Sequence, residues 1–276
     1  DGQTLRPVES GFTAPVQALT VHDGAVVAGG DFMVGDDPAR RVARWDGERW
    51  HTFGTNTPPA ARALTVYQNE LMQLIQYAPA TEKVARRPLL VIPPWFNKFY
   101  VMDMQPKNSL IKFMVDQGHT VFLISWRNPD EHMPDKTFDQ YLTEGPLTAL
   151  DVIEEITGET EVNALGYCLG GILLAILIAW LEAKGRHQIK SGTYLTTLLD
   201  YSDVGDVKVF VNEDVIDRLE KLGRKKGYLP GDNVAWGFRL LRAPDLLYSF
   251  IINHYLLGRP RTPFDLLYWN EDATTM

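Results

Sequence analysis

The sequence predicts an α/β protein, a parallel sheet covered by helices on both faces. Three observations carry that expectation. Two short runs, Pro88–Pro93 and Thr120–Trp126, are apolar almost throughout, as strands buried on both faces must be. Segments with helical spacing of apolar residues alternate with them, which makes the successive strands parallel. A glycine-flanked cysteine, Cys168, stands between a strand-like run and a strongly apolar helical run.

Taken in order, the first sixty residues have a different character. Val16–Val21 and Ala25–Gly30 flank Asp23-Gly24, and Arg41–Trp45 and Arg49–Phe53 flank Asp46-Gly47. Asp-Gly between such runs predicts hairpins, because both turn positions need positive φ. Asp1–Leu5 aligns with Asp46–Trp50, and Ala18-Leu19-Thr20-Val21 recurs as Ala63-Leu64-Thr65-Val66 at the same spacing. Repeats of this length with four short strands point to propeller blades. Gly29–Phe32 and Ala43–Trp50 resemble kelch-like or galactose-oxidase-type propeller repeats. The bland alternative is a pair of unrelated hairpins. Residues 1–57 are thus expected to be a β-propeller-like fragment, and 58–87 a linker and N-terminal helix. Residues 88–200 are expected to be the α/β core, and 201–276 a cap.

Within the core, Ser109–Val115 has helical spacing and stops at Gly118. Thr137 caps a helix expected to run to Ile156, with Leu142, Leu147, Leu150, Val152 and Ile153 inward and Gly158 closing it. Glu161–Leu165 leads into the glycine turn, Leu169–Ala183 is the apolar helix and Ile189–Leu199 a further strand. Leu169–Ala183 is shorter than the about 20 residues a membrane span needs.

The turn reads Gly166-Tyr167-Cys168-Leu169-Gly170-Gly171, the G-x-nucleophile-x-G pattern of the α/β-hydrolase elbow with cysteine in place of serine. A lone cysteine is more often a small buried hydrophobe. Glycines at both offsets make the nucleophile reading far more specific. A helix starting at Leu169 points its dipole at the sulfur, which should lower the thiol pKa. The Leu169 N–H would be one oxyanion donor.

Charge and composition narrow the function. Lys and Arg total 27 against 35 Asp and Glu, a net charge of −8, which argues against a nucleic-acid binder. One cysteine excludes an intrachain disulfide and a multi-cysteine zinc site, and no metal is expected. Hydrophobic residues at 45% predict a globular core in a soluble chain from a reducing compartment. The sequence opens at Asp1 without Met or a charged-then-apolar leader, so an internal piece of a longer chain is expected, with no signal peptide.

From about residue 60 to 276 the chain resembles the polyhydroxyalkanoate synthases, especially the class I type. The runs that carry the resemblance are Asn69–Pro79, Arg87–Tyr100, Gly118–Pro129, Gly166–Gly171, Asn253–Gly258 and Pro263–Asn270. The resemblance implies an α/β-hydrolase fold and an acyltransferase that polymerises (R)-3-hydroxyacyl-CoA through an acyl-cysteine at Cys168. It implies no cofactor, since the CoA thioester is the substrate, and a second oxyanion N–H from the loop around Trp95 and Phe96. It also implies a cap over Tyr201–Met276, short-chain substrates, a homodimer, and a cytoplasmic location at the surface of polyester granules.

The sequence departs from that family in two ways. The family's catalytic Asp and His, which follow the nucleophile, are expected beyond Met276. His187 reads as a loop residue, His254 stands where the family usually carries Asn, and Asp200 reads as a turn acid. His119 and His132 read as strand-entry and loop residues. On that reading Cys168 is acylated slowly but chain extension fails. The second departure is the blade-like N-terminus, for which a true fusion and a chimeric join at the repeated Ala-Leu-Thr-Val both stay open. Two other functions are weighed: a Cys-nucleophile hydrolase of thioesterase or dienelactone-hydrolase type, and a non-catalytic interaction module.

Overall fold

In the computed structural model the described residues are 16–22, 25–30, 42–45, 50–52, 63–96, 98–130, 133, 136–205, 208, 212–229, 248–249 and 251–260. Both expected N-terminal hairpins form. Strands β1 (Val16–His22), β2 (Ala25–Gly30), β3 (Val42–Trp45) and β4 (Trp50–Thr52) make one antiparallel sheet in the order β1-β2-β3-β4. Trp45 and Trp50 face each other across the second hairpin with ring centroids 5.4 Å apart.

The main sheet has six strands: β5 (Ala63–Gln68), β6 (Met72–Tyr77), β7 (Leu89–Ile92), β8 (Val121–Trp126), β9 (Val162–Tyr167) and β10 (Ile189–Leu195), in the order β10-β9-β7-β8-β6-β5. The four strands from β10 to β8 run parallel, as expected. β6 and β5 extend the sheet antiparallel. This corrects the expected linker and N-terminal helix over 58–87. Met72 and Leu74 are fully buried while Gln73 and Gln76 are only half-buried, an alternation that belongs to a strand. Asn69 makes the turn, its Oδ1 accepting from the N–H groups of Leu71 and Met72 at 2.9 and 2.8 Å.

Alternation along the strands divides the core into two halves. Leu90, Ile92, Phe122, Ile124 and Trp126 point to one face, against helices α2 (Phe138–Leu142), α3 (Thr148–Thr157) and α4 (Leu169–Ala183). Leu89, Val91, Val121 and Leu123 point to the other, against helix α1 (Leu110–Asp116). Ser109 caps α1, its Oγ accepting from the Lys112 N–H at 2.8 Å, and Gly118 follows at φ 83°. Leu173, Leu174 and Leu177 of α4 are fully buried, so its apolar character comes from the core. No helix among the described residues is long and apolar enough to cross a membrane.

The single helix expected from Thr137 to Ile156 is broken. α2 and α3 are joined by a π-helical turn, Thr143–Leu147, in which Gly145 leaves helical geometry at ψ −110°. Pro146 removes a backbone donor there. A side chain at Gly145 would also strike Trp126, whose Cη2 lies 2.5 Å from the position of a Cβ. Trp126 uses the space this creates: its indole N–H donates to the Pro93 carbonyl at 2.9 Å, holding the loop that leaves β7. Trp126→Phe is expected to destabilise the protein by about 1–2 kcal/mol, because the buried Pro93 acceptor loses its partner. Chemical denaturation of the two proteins checks this.

Beyond β10, helix α5 (Glu213–Lys226) is amphipathic but buries no residue, and Ile251–Leu256 forms a π-helical segment that is likewise unburied. The expected run to Met276 lies outside the described residues from 261 onward.

Candidate active site

Cys168 sits between β9 and α4 at φ 53° and ψ −121°. Among the described non-glycine residues only Cys168 and Thr196 have positive φ, and both belong to this corner. A cysteine in that conformation is held by its surroundings. Its own N–H donates to the Leu195 carbonyl at 2.8 Å, and its carbonyl accepts from the Gly171 N–H at 3.0 Å.

The three elbow glycines are required by close backbone approach. A Cβ on Gly166 would lie 2.4 Å from Gly171 Cα, which brings the end of β9 against the first turn of α4. A Cβ on Gly170 would lie 2.0 Å from the Ile92 carbonyl oxygen, so the same turn touches the end of β7. A Cβ on Gly171 would lie 2.0 Å from Thr197 Oγ1. The turn therefore fits a slot walled by β7, β9 and the residues after β10.

That last wall was not foreseen. The strand expected to reach Leu199 ends at Leu195, and Thr196 turns at φ 47° so that Thr197 folds onto Gly171. Thr197 Oγ1 donates back to the Leu195 carbonyl at 3.1 Å, and Tyr167 hydrogen-bonds Thr196. A β-branched residue at positive φ has no signature in sequence, since its intrinsic preference is the opposite.

Because Gly170 touches Ile92, the loop leaving β7 begins at the elbow, and Trp95 and Phe96 lie two and three residues beyond Pro93 on that loop. Trp95 packs edge-on against Phe138 at 5.4 Å and tilted against Tyr141 at 6.5 Å; Tyr141 packs on Trp126 at 5.5 Å. Leu169, the first residue of α4, hydrogen-bonds Cys168 through its backbone.

The electrostatic outcome differs from the expectation. Burial of the half-exposed thiol raises its pKa above the usual value, and the Leu169 N–H lowers it by less. Desolvation outweighs the Leu169 hydrogen bond because burial penalises the charged thiolate. Burial penalises the thiolate, so at pH 8 a smaller fraction of Cys168 is ionised in the folded chain than in the unfolded one. Iodoacetamide alkylation is therefore expected to be slower in the folded chain, rising with pH up to a midpoint above that of the urea-unfolded protein. Mass spectrometry of timed samples checks it.

Of the histidines, His187 and His119 lie away from the elbow. His187 follows the C-terminal end of α4, whose 15 residues put it roughly 22 Å from Cys168, and its Nδ1 pairs with Glu182 at 2.9 Å. His119 precedes β8, at the sheet edge opposite to Cys168. His254 is in the π-helical segment, with its Nδ1 3.0 Å from the Arg259 carbonyl. Asp200 accepts from the Ser202 N–H at 2.9 Å, which lowers its pKa and makes it a turn acid, as read from the sequence. His132 lies outside the described residues. The described residues contain no group of three or more His, Cys, Asp or Glu that could hold a metal. The strand order, the parallel core and the strained cysteine between β9 and α4 together constitute an α/β-hydrolase fold.

Comparison with known proteins agrees with the resemblance read from residue 60 onward and extends it into residues 1–57, which were expected to depart from that family. Residues 36–114 match the family model described as "Poly-beta-hydroxybutyrate polymerase (PhaC) N-terminus", a match that begins before β3 and reaches into α1. A poly(3-hydroxyalkanoate) polymerase of Methylorubrum extorquens is 52% identical over 211 residues, 76% of this chain and 35% of that protein. The polymerase subunit of Rhizobium meliloti is 50% identical over 211 residues, 76% of this chain and 34% of its own length. That of Cupriavidus necator is 41% identical over 267 residues, covering 94% of this chain and 45% of its own length. Among solved structures, a putative lipase from Sulfolobus solfataricus aligns with a TM-score of 0.48 at 13% identity, over 93% of this chain and 71% of that one. The chain spans about a third to just under half the length of these curated relatives. Over most of its residues, then, this chain belongs to the poly(3-hydroxyalkanoate) polymerase family.

Proposed function

We propose that Cys168 is the nucleophile of an acyltransferase that takes (R)-3-hydroxyacyl groups from CoA and builds a polyester. The observation that carries this reading is the cysteine at φ 53° on the elbow between β9 and α4. The Cys168 sulfur attacks the thioester carbonyl, the new S–C bond forms, and the CoA thiolate leaves. One thioester replaces another, so the exchange is near isoenergetic. The N–H of Leu169 and an N–H of the Trp95–Phe96 loop receive the developing oxyanion. Chain extension then needs the hydroxyl of a second acyl group to be deprotonated, which is work for a general base. His187 and His119 lie away from Cys168, one beyond the far end of α4 and the other at the opposite end of the parallel strands. The reading for this chain is acylation of Cys168 as the first step. No cofactor enters it. The homodimer and the granule surface belong to the same proposal and rest on the family alone.

Incubation with (R)-3-hydroxybutyryl-CoA, followed by intact-mass and product analysis, separates the readings. An acyl adduct on Cys168 that persists is expected. Free hydroxy acid formed catalytically, with no adduct and no polymer, would establish the thioesterase alternative instead.

A further inference from the structure

Beyond Ile92 the chain leaving β7 carries no backbone N–H until Trp95, because residues 93 and 94 are both proline. Pro93 and Pro94 are buried, and neither can be tied down by donating a hydrogen bond. The carbonyl of Pro93 is tied instead by the indole N–H of Trp126, at 2.9 Å. This is the peptide unit that abuts the elbow: a Cβ on Gly170 would lie 2.7 Å from the Pro93 carbonyl carbon. The proline rings fix φ at about −65°, so few free torsions separate the anchored carbonyl from the N–H of Trp95. Holding Pro93 therefore aims Trp95 and Phe96.

Trp126 also holds the loop through its ring. Tyr141 packs on both indoles, its centroid 5.5 Å from that of Trp126 and 6.5 Å from that of Trp95. Trp126 itself is buried at the end of β8, in a slot left open by Gly145, where a Cβ would lie 2.5 Å from Cη2. The π-helical turn that carries Gly145 is anchored to the β5–β6 turn. Asn69 Nδ2 donates to the Glu144 carbonyl at 2.7 Å, and Lys136 bridges Glu144 and Glu70 at 2.9 and 3.1 Å.

We propose that Trp126 is the positioning residue of the oxyanion donors, holding the Trp95–Phe96 loop toward Cys168 through the Pro93 carbonyl. The inference rests on the reading of Cys168 as the acyl acceptor and of that loop as an oxyanion donor. Its effect is specific to attack on a carbonyl. When the Cys168 sulfur adds to a thioester, the C=O electron pair moves onto oxygen, and the loop N–H receives that charge. When the same sulfur displaces iodide from iodoacetamide, no oxyanion forms. A residue that only supports the elbow affects both reactions, whereas one that places the oxyanion donors affects the first.

The test compares the two reactions in the parent chain, Trp126→Phe and Gly158→Ala, read by intact mass. Acylation is followed over a range of (R)-3-hydroxybutyryl-CoA concentrations, and alkylation with iodoacetamide. In Trp126→Phe the limiting acylation rate is expected to fall about 10–100-fold, with the half-saturating concentration within about threefold of the parent. Alkylation is expected to stay within about twofold, because the thiolate is unchanged. Gly158→Ala, the control for lost stability away from the loop, is expected to keep both parent rates. Trp126→benzothienylalanine keeps the shape of the ring with sulfur in place of the N–H. It is expected to reproduce the loss, and it decides the matter if Trp126→Phe fails to fold. Acylation at the parent rate in the benzothienyl variant overturns the proposal, as does a matching fall in acylation and alkylation, or an equal loss in Gly158→Ala. A parent chain that forms no adduct with the CoA thioester or with an N-acetylcysteamine thioester overturns the reading of Cys168 itself. A parent that acylates while the Trp126 variants match it leaves that reading standing, and only the role of Trp126 falls.

Discussion

Cys168→Ala is expected to abolish adduct formation from (R)-3-hydroxybutyryl-CoA, and Cys168→Ser to reduce it by about 10²–10⁴-fold. The two variants ask different questions. Alanine removes the attacking atom. Serine retains an attacking atom on the same elbow, but a hydroxyl needs a base where a thiol is already partly ionised near neutral pH. Burial already holds the Cys168 thiol above its ordinary pKa, so acylation of the parent chain should quicken as pH rises from 7 to 9. The measurement is intact-mass spectrometry across that pH range. A serine variant acylated as fast as the parent would mean that a base reaches residue 168.

The second large effect is expected at Gly170. Gly170→Ala should destabilise the protein by about 3 kcal/mol or more, since an added methyl group meets the backbone at the end of β7. Its carbon would lie 2.0 Å from the Ile92 oxygen and 2.7 Å from the Pro93 carbonyl carbon, and neither can rotate away. Relief requires α4 to lift from β7, which also parts the Leu169 N–H from the Trp95–Phe96 loop. Stability and Cys168 acylation should therefore fall together. For a chain of this size the expected drop in Tm is roughly 6–12 °C. Gly158→Ala is the control. Nothing lies within 4 Å of the added carbon there, and the cost is only that of φ 71°, about 1–2 kcal/mol. Gly158→Ala should leave acylation intact.

Much of the arrangement around Cys168 is local and was therefore legible. The strand-like runs on either side of the Asp-Gly pairs marked the pairings β1–β2 and β3–β4. Apolar runs too dense for a half-exposed strand marked β7 and β8 as buried on both faces. Gly166 and Gly170 mark the elbow at Cys168, because a tight strand-to-helix turn brings backbone too close for a side chain at both offsets. The misreadings have one cause in common. Residues 63–77 were read as linker and helix although Met72 and Leu74 alternate with Gln73 and Gln76. The strand there is settled by its partner β8. The helix from Thr137 was read as continuous because its apolar stripe continues past Gly145 and Pro146; the break is set by Trp126, 19 residues earlier in the chain.

By itself the sequence determined the layer architecture and the turn on which Cys168 stands. Both of these depend on composition or on neighbours within a few residues. Tertiary structure alone decided that β5 and β6 complete the sheet, that Thr196 and Thr197 wall the elbow, and that the thiol is harder to ionise than its place at a helix start suggests. Each of those depends on which distant segments exclude water from a residue or press against it. Burial is a property of the packed chain, and at Cys168 it outweighs the local helix terminus.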